Sequence, residues 1–390
     1  MTNTVVGDEN PWHPVARLPE DWQAWLKTQG EAPFRAAQVF RWIHRQGELS
    51  PAAMTNLGLP LRERLAGDGL APPGVVVDVK RAQDGTRKLL VEFAHGARVE
   101  CVLIPMTPKT AEDTDYLVDS EGELEEEEQE ESRTKVTLCI STQYGCAMGC
   151  VFCASGQFGL QRGLGAHEVV FQVLLAKRYL EPGEVLSNLV FMGMGEPLHH
   201  YDQTARAVRL ITHPEGLAMS ARRLTVSTVG LPSGIQKLGQ DFAGKVGLAV
   251  SLHAPDDDTR SRIIPMNQRY PVAKLLSALR AYPLPRRRRI TIEYTLIAGI
   301  NDSPAHAERL AELLRGLRVK VNLIPMNPIE ASELEAPVDS VVGRFRETLA
   351  DRGYSCFVRT TRGDDVLAAC GQLALQGEPV RLRRGKSDGV

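Results

Sequence analysis

The chain has 390 residues, 43% of them hydrophobic, a formal net charge of −2 and seven cysteines. That length supports a full enzyme core with a smaller accessory unit, and the absence of an apolar run of about 18 residues or a charged leader makes secretion and membrane spanning unexpected. An odd cysteine count, thinly spread but with three bunched together, suits a reducing, cytoplasmic setting with metal-binding or catalytic thiols rather than a disulfide scaffold.

In chain order, residues 1–95 read as a small α-then-β accessory unit. Leu18–Thr28 and Phe34–Gln46 have helical periodicity, and the second interleaves Arg35, Arg41 and Arg45 with Phe34, Val39, Phe40, Trp42 and Ile43. A basic, aromatic-bearing module suggests nucleic-acid docking; an amphipathic helix whose aromatics are core is the plainer alternative. Val75–Lys80, Lys88–Phe93 and Val99–Ile104 alternate like strands, with Asp84-Gly85 as the turn between the first two.

Residues 96–134 hold a connecting strand and an acidic run. Residues 112–133 contain twelve Asp or Glu and one basic residue, Arg133. Such a segment buries too little apolar surface to offset its ordering entropy and is expected to be a disordered insert. Without it 36 acids face 45 Lys and Arg, a surplus of about +9. A basic body suits a phosphate-backbone partner, although solubility alone accounts for it equally well.

From residue 135 to 375, β-rich runs alternate with helical patterns, and residues 376–390 form a basic tail. The runs are Val136–Ser141, Asn188–Met192, Arg223–Thr228, Gly247–Leu252, Ile290–Leu296 and Val319–Ile324. Six βα units imply an α/β fold with a parallel sheet, doubly wound or an incomplete barrel, whose ligands sit at the C-terminal strand ends.

After the first of these strands comes Gly145-Cys146-Ala147-Met148-Gly149-Cys150-Val151-Phe152-Cys153. Ordinary cluster and zinc sites use four ligands, but here three thiols crowd together with no fourth Cys or His within a few residues. A three-thiolate [4Fe–4S] cluster leaves one iron open for the amino and carboxylate groups of S-adenosylmethionine. The alternative is a zinc knuckle with a distant fourth ligand, for which His167 is the nearest candidate. The second strand ends in Met192-Gly193-Met194-Gly195-Glu196-Pro197, where glycines would let the backbone approach a ligand and Glu196 would accept the methionine amino group. Ser227, then Ser251-Leu252-His253, and Asn327 stand at later strand ends as polar contacts to the cofactor, or as cap and turn residues.

The segments GCAMGCVFC, MGMGEPL, SLHAP, TIEYTLIAGIND, NLIPMNP and TRGDDVLAACGQL, in this order, closely resemble the radical S-adenosylmethionine RNA adenine-C2 methyltransferases. FRAAQVFRWIHR also resembles that family's RNA-binding accessory domain. The resemblance implies a partial (βα)6 barrel with a small N-terminal α+β domain. It further implies methylation of adenosine carbon 2 in 23S rRNA and in tRNA beside the anticodon. Two S-adenosylmethionine molecules would be consumed per methylation: one methylates the cysteine matching Cys370, and the other yields the 5′-deoxyadenosyl radical that activates that methyl group. Cys139 matches the thiol that closes a transient disulfide with Cys370 and releases product, and Glu100 matches the carboxylate that takes the carbon-2 proton. Cys101 and Cys356 are read as buried filler. This sequence departs from the family in its acidic insert and in Met326, where an aromatic is common.

An electron donor such as flavodoxin or ferredoxin with its reductase is implied, and a monomer is expected. Two other readings share much of this evidence: a related radical methyltransferase acting at adenine carbon 8, and a non-catalytic iron–sulfur RNA-binding protein.

Overall fold

The structure, a computed structural model, describes residues 12–106, 133–330 and 332–373. The acidic run except Arg133, and the basic C-terminal tail, lie outside the described residues.

The N-terminal unit is helical. α1 (Pro19–Thr28) begins on proline, and its preceding Leu18 N–H donates to Asp21 Oδ2 at 2.9 Å. α2 (Arg35–His44) and α3 (Leu59–Gly67) follow; α3 was not legible in the sequence, since it buries only Leu61 and Leu65. Of the α2 apolar residues, Val39, Phe40 and Ile43 are fully buried, whereas Phe34 is 60% exposed. Of the three aromatics only Phe40 is core; Trp42 is half-buried and Phe34 exposed.

The strands are β1 (Gly74–Arg81), β2 (Arg87–Phe93), β3 (Arg98–Met106) and β4 (Thr134–Cys139), then the short β5 (Gln143–Tyr144) and β6 (Arg162–Gly163). They continue with β7 (Glu184–Phe191), β8 (Leu224–Thr228), β9 (Gly247–Ser251), β10 (Ile290–Leu296), β11 (Val319–Pro325) and β12 (Cys356–Val358). One ten-stranded sheet runs β1-β2-β3-β4-β7-β8-β9-β10-β11-β12. The six strands from β4 to β11 pair in parallel, their apolar runs covered by the helices of successive βα units. This is the expected six-unit partial barrel.

Strands β1 and β2, expected with the accessory unit, instead extend the catalytic sheet, because β3 pairs antiparallel with both β2 and β4. Only the helices stand outside the sheet. They dock on α6 (Tyr201–Thr212) and the turn after it: Phe40 meets His213 edge-on at 4.7 Å, and Arg41 pairs with Glu215 at 2.7 Å. Among the described residues no helix is long and apolar enough to cross a membrane.

Candidate active site

At the C-terminal ends of the parallel strands lies a cavity open to solvent, with Cys146, Cys150 and Cys153 on its wall. Burial pushes the Cys146 thiol up to about 12, with Cys153 adding to the effect, and also raises Cys150 and Cys153. Such thiols ionise at neutral pH only when iron replaces the proton. Among the described residues no three His, Cys, Asp or Glu groups converge on a point that would hold one metal ion. Three thiols sharing a cavity wall fit separate irons of one cubane better than one zinc. His167 does not line this cavity; its ring stacks on His13 at 4.1 Å.

Ser227, Ser251, His253, Asn327, Gly195 and Glu196 line the same cavity. Leu252 does not; its side chain is core, 1% exposed, and its N–H donates to Glu293 O. The two glycines after β7 line the cavity as well. A Cβ at Gly193 would stand 2.7 Å from Ile140 O, and one at Gly195, where φ is +102°, would stand 2.5 Å from Gln143 Cβ. They also admit the close approach of the segment after β4.

Glu196 is 2% exposed. Its Oε1 accepts the Leu198 N–H at 2.9 Å and its Oε2 the Val229 N–H at 2.8 Å. Burial raises this carboxyl to about 7 against the opposing pull of those bonds, so a cationic ammonium beside it would be favoured. His253, in left-handed backbone at φ +56°, accepts the Thr295 N–H at Nδ1 from 2.8 Å. Burial lowers it to about 3, so the ring stays neutral and bears its proton at Nε2.

Cys139 ends β4, and Cys370 lies in the loop after β12; both line one smaller cavity, and Cys370 also lines the cluster cavity. Both are reduced. Burial raises Cys139 to about 12, nearby Cys370 adds to this, and Arg359 pulls it down. The Cys370 loop is seated on the cluster loop. Gly371 O accepts from Ala154 N at 2.8 Å, Leu373 O from Ser155 Oγ at 2.6 Å, and Cys370 O from Asn327 Nδ2 at 2.9 Å. Asn327 thus holds the Cys370 backbone, a role its strand-end position did not reveal. Glu100, expected on a strand face that is often solvated, is 5% exposed and paired with Lys88 at 2.9 Å.

Two functional groups escaped the sequence reading. Arg260, 1% exposed, donates to the carbonyls of Val229, Ser251 and Leu252, fastening the ends of β8 and β9 together. Arg359, with Met192 and Glu293, lines both the cluster cavity and a second one at the opposite end of the barrel. That second cavity is lined by Arg222, Arg288, Arg289, Lys320, Arg359 and Arg362 against the single acid Glu293. Neither arginine lies in a motif with a spacing signature.

Residues 19–68 match the ribosomal RNA large subunit methyltransferase N-terminal domain family, and residues 140–314 match the radical SAM superfamily. The chain is 57% identical over 382 residues to the dual-specificity RNA methyltransferase RlmN of Sorangium cellulosum, covering 96% of this chain and 98% of that protein. It is 42% identical to the protein of the same description from Anaeromyxobacter dehalogenans, covering 97% and 96%. The crystal structure of a radical SAM methyltransferase from Sphaerobacter thermophilus matches with a TM-score of 0.82 at 42% identity, covering 93% of this chain and 99% of that one.

Proposed function

The chain belongs to the RlmN family of dual-specificity RNA methyltransferases, and from that premise we infer that it methylates carbon 2 of adenosine in 23S rRNA and tRNA through Cys370 and Cys139. It is a radical SAM enzyme that uses a [4Fe–4S] cluster and S-adenosylmethionine. Bound together, these supply the 5′-deoxyadenosyl radical that removes a hydrogen atom from an unactivated methyl group.

The protein's own groups do the rest. Cys146, Cys150 and Cys153 hold the cluster. Glu196 accepts the methionine ammonium, and neutral His253 donates from Nε2, with Ser227, Ser251 and Gly195 bounding the cofactor. Asn327 borders the cofactor and fixes the backbone of Cys370. Cys370 carries the methyl group toward the base, because adenine carbon 2 is too electron-poor to attack a sulfonium directly. Glu100 accepts the proton that carbon 2 loses. Cys139, as its thiolate, then attacks the Cys370 sulfur: the S–S bond forms as the bond from sulfur to the transferred carbon breaks. The electron pair stays on that carbon, which takes up a proton to become the methyl group, and the one electron the radical adduct must lose would return to the cluster.

The observation that carries this reading is that Cys139 and Cys370 border one cavity while Cys370 also borders the cluster cavity. A thiol so placed reaches both the methyl-activating centre and its resolving partner. The basic second cavity, which shares Met192, Glu293 and Arg359 with the wall of the first, suits RNA phosphates. A flavodoxin or ferredoxin with its reductase supplies the electrons, and the enzyme works as a cytoplasmic monomer.

Mass spectrometry of nucleosides from rRNA and tRNA of a deletion strain, with and without the gene restored, tests the reading. Restoration should return 2-methyladenosine to both RNAs. Appearance of 8-methyladenosine instead would assign the carbon-8 reaction, and no change in either would remove the methyltransferase reading of this site.

A further inference from the structure

Lys88 is 3% exposed and lies in none of the motifs that mark the cofactor site. The register of three strands explains its place. Lys88 on β2 sits opposite Val102 on β3, which sits opposite Cys139 on β4. Side chains in one such row share a face of the sheet, and Glu100, two residues from Val102 along β3, shares it too. Lys88, Glu100 and Cys139 therefore face the same side, under the loop that carries Cys370.

The Lys88 ammonium bridges the two. Its Nζ lies 2.9 Å from Glu100 Oε1 and donates to the Leu367 carbonyl at 2.9 Å. Leu367 stands three residues before Cys370 in left-handed backbone, φ +51°, a conformation a leucine keeps only when its surroundings impose it. The β1–β2 turn grips the same loop: Gly363 N donates to Asp84 Oδ2 and Gln83 N to Asp365 Oδ2, both at 3.0 Å. A buried ion pair is a poor source of net stability, since desolvating both charges offsets their attraction and well-packed apolar side chains do as well. Stability alone therefore gives no account of an ammonium at this position.

We propose that Lys88 is a positioning residue that holds the Glu100 carboxylate and the Cys370 loop in one fixed arrangement, so that proton acceptor and methyl carrier meet the base together. The proposal rests on the roles given to Cys370 and Glu100 above. Its loop-anchoring half can be measured without any RNA.

The test uses full-length, cluster-reconstituted enzyme with Lys88→Met, Lys88→Arg, Glu100→Gln and the double variant Lys88→Met/Glu100→Gln. Amide hydrogen exchange across residues 363–369 without RNA should quicken about tenfold or more in Lys88→Met, with iron content unchanged. It should stay slow in Glu100→Gln. With RNA, 5′-deoxyadenosine formed per methylated adenosine should rise from about one to about ten in Lys88→Met, because the radical is generated while its acceptor is misplaced. Lys88→Arg, which can donate to both acceptors, should bring both readouts back to within about threefold of wild type. If Lys88→Met fails to fold, the double variant, which leaves no unpaired charge, carries the exchange measurement and should show the same fast loop. Wild-type exchange and wild-type stoichiometry in Lys88→Met would overturn the proposal. A wild type that makes no methylated adenosine would instead overturn the functional reading, with the exchange data still deciding whether Lys88 anchors the loop.

Discussion

Replacing Asn327 by alanine separates two roles that its position allows. Its Nδ2 donates to the Cys370 carbonyl at 2.9 Å, its Oδ1 accepts from the Thr361 hydroxyl at 3.1 Å, and the residue is 7% exposed. Alanine deletes both bonds. At about 1 kcal/mol each, the seated arrangement of the Cys370 loop loses about 2 kcal/mol, or about 30-fold in its equilibrium. Methylation by reconstituted enzyme should then fall by about 10- to 30-fold, the smaller figure applying if the wild-type loop is seated with some margin. Affinity for S-adenosylmethionine, measured by anaerobic titration, should change by less than about threefold, because Glu196 and His253 still bound the cofactor. Asn327→Asp keeps the acceptor for Thr361 but loses the donor to Cys370, and should fall between wild type and alanine. If cofactor affinity drops tenfold while methylation per bound cofactor is unchanged, Asn327 is a cofactor contact and the anchoring argument is wrong.

Changing Cys146, Cys150 or Cys153 to serine should lower bound iron from about four atoms per chain and abolish reductive cleavage of S-adenosylmethionine; stoichiometric zinc with no iron in the wild type would refute the cluster. Cys370→Ala should lack the one-carbon mass increase on its peptide and make no methylated RNA. Cys139→Ala should accumulate a nuclease-sensitive protein–RNA conjugate, and normal turnover by it would remove the disulfide step. His44 is fully buried with no hydrogen-bond partner at either ring nitrogen among the described residues, and burial lowers it to about 3. The folded state therefore keeps it neutral while the unfolded chain protonates below about 6.5, so its contribution is intact above that pH and is lost toward pH 3, approaching about 1.4 kcal/mol per pH unit. His44→Gln should flatten the acid limb of a pH-dependent unfolding curve by that slope, and an unchanged limb would show the ring is already charged. Arg35→Glu/Arg45→Glu should weaken RNA binding and reduce the dependence of log affinity on log salt by about two, leaving S-adenosylmethionine cleavage intact; an unchanged salt slope would make the helices scaffold only.

The cluster triad and the six parallel strands were legible because their causes are local. The three thiols fall within one short loop, and the parallel strands are β-rich runs bounded by helical patterns. The N-terminal helix α2 was equally plain, but whether Phe40 served RNA or the core was decided only when His213 came to lie against it. The end of β7 shows a different limit: its glycines were visible, yet the neighbours they accommodate, Ile140 at Gly193 and Gln143 at Gly195, are far off in sequence and adjacent only through the β4–β7 pairing.

What the tertiary structure alone decided is the meeting of groups from distant parts of the chain. Cys139, Cys370, Glu100 and Lys88 come from three adjacent strands and the loop after β12, and nothing in their spacing sets them together. Strand register does so, because pairing Lys88 with Val102 and Val102 with Cys139 turns three unrelated positions to one face. The burial of that face then fixes which of those side chains must pair, since an ammonium or a carboxylate enclosed without a partner would cost more than the fold can supply.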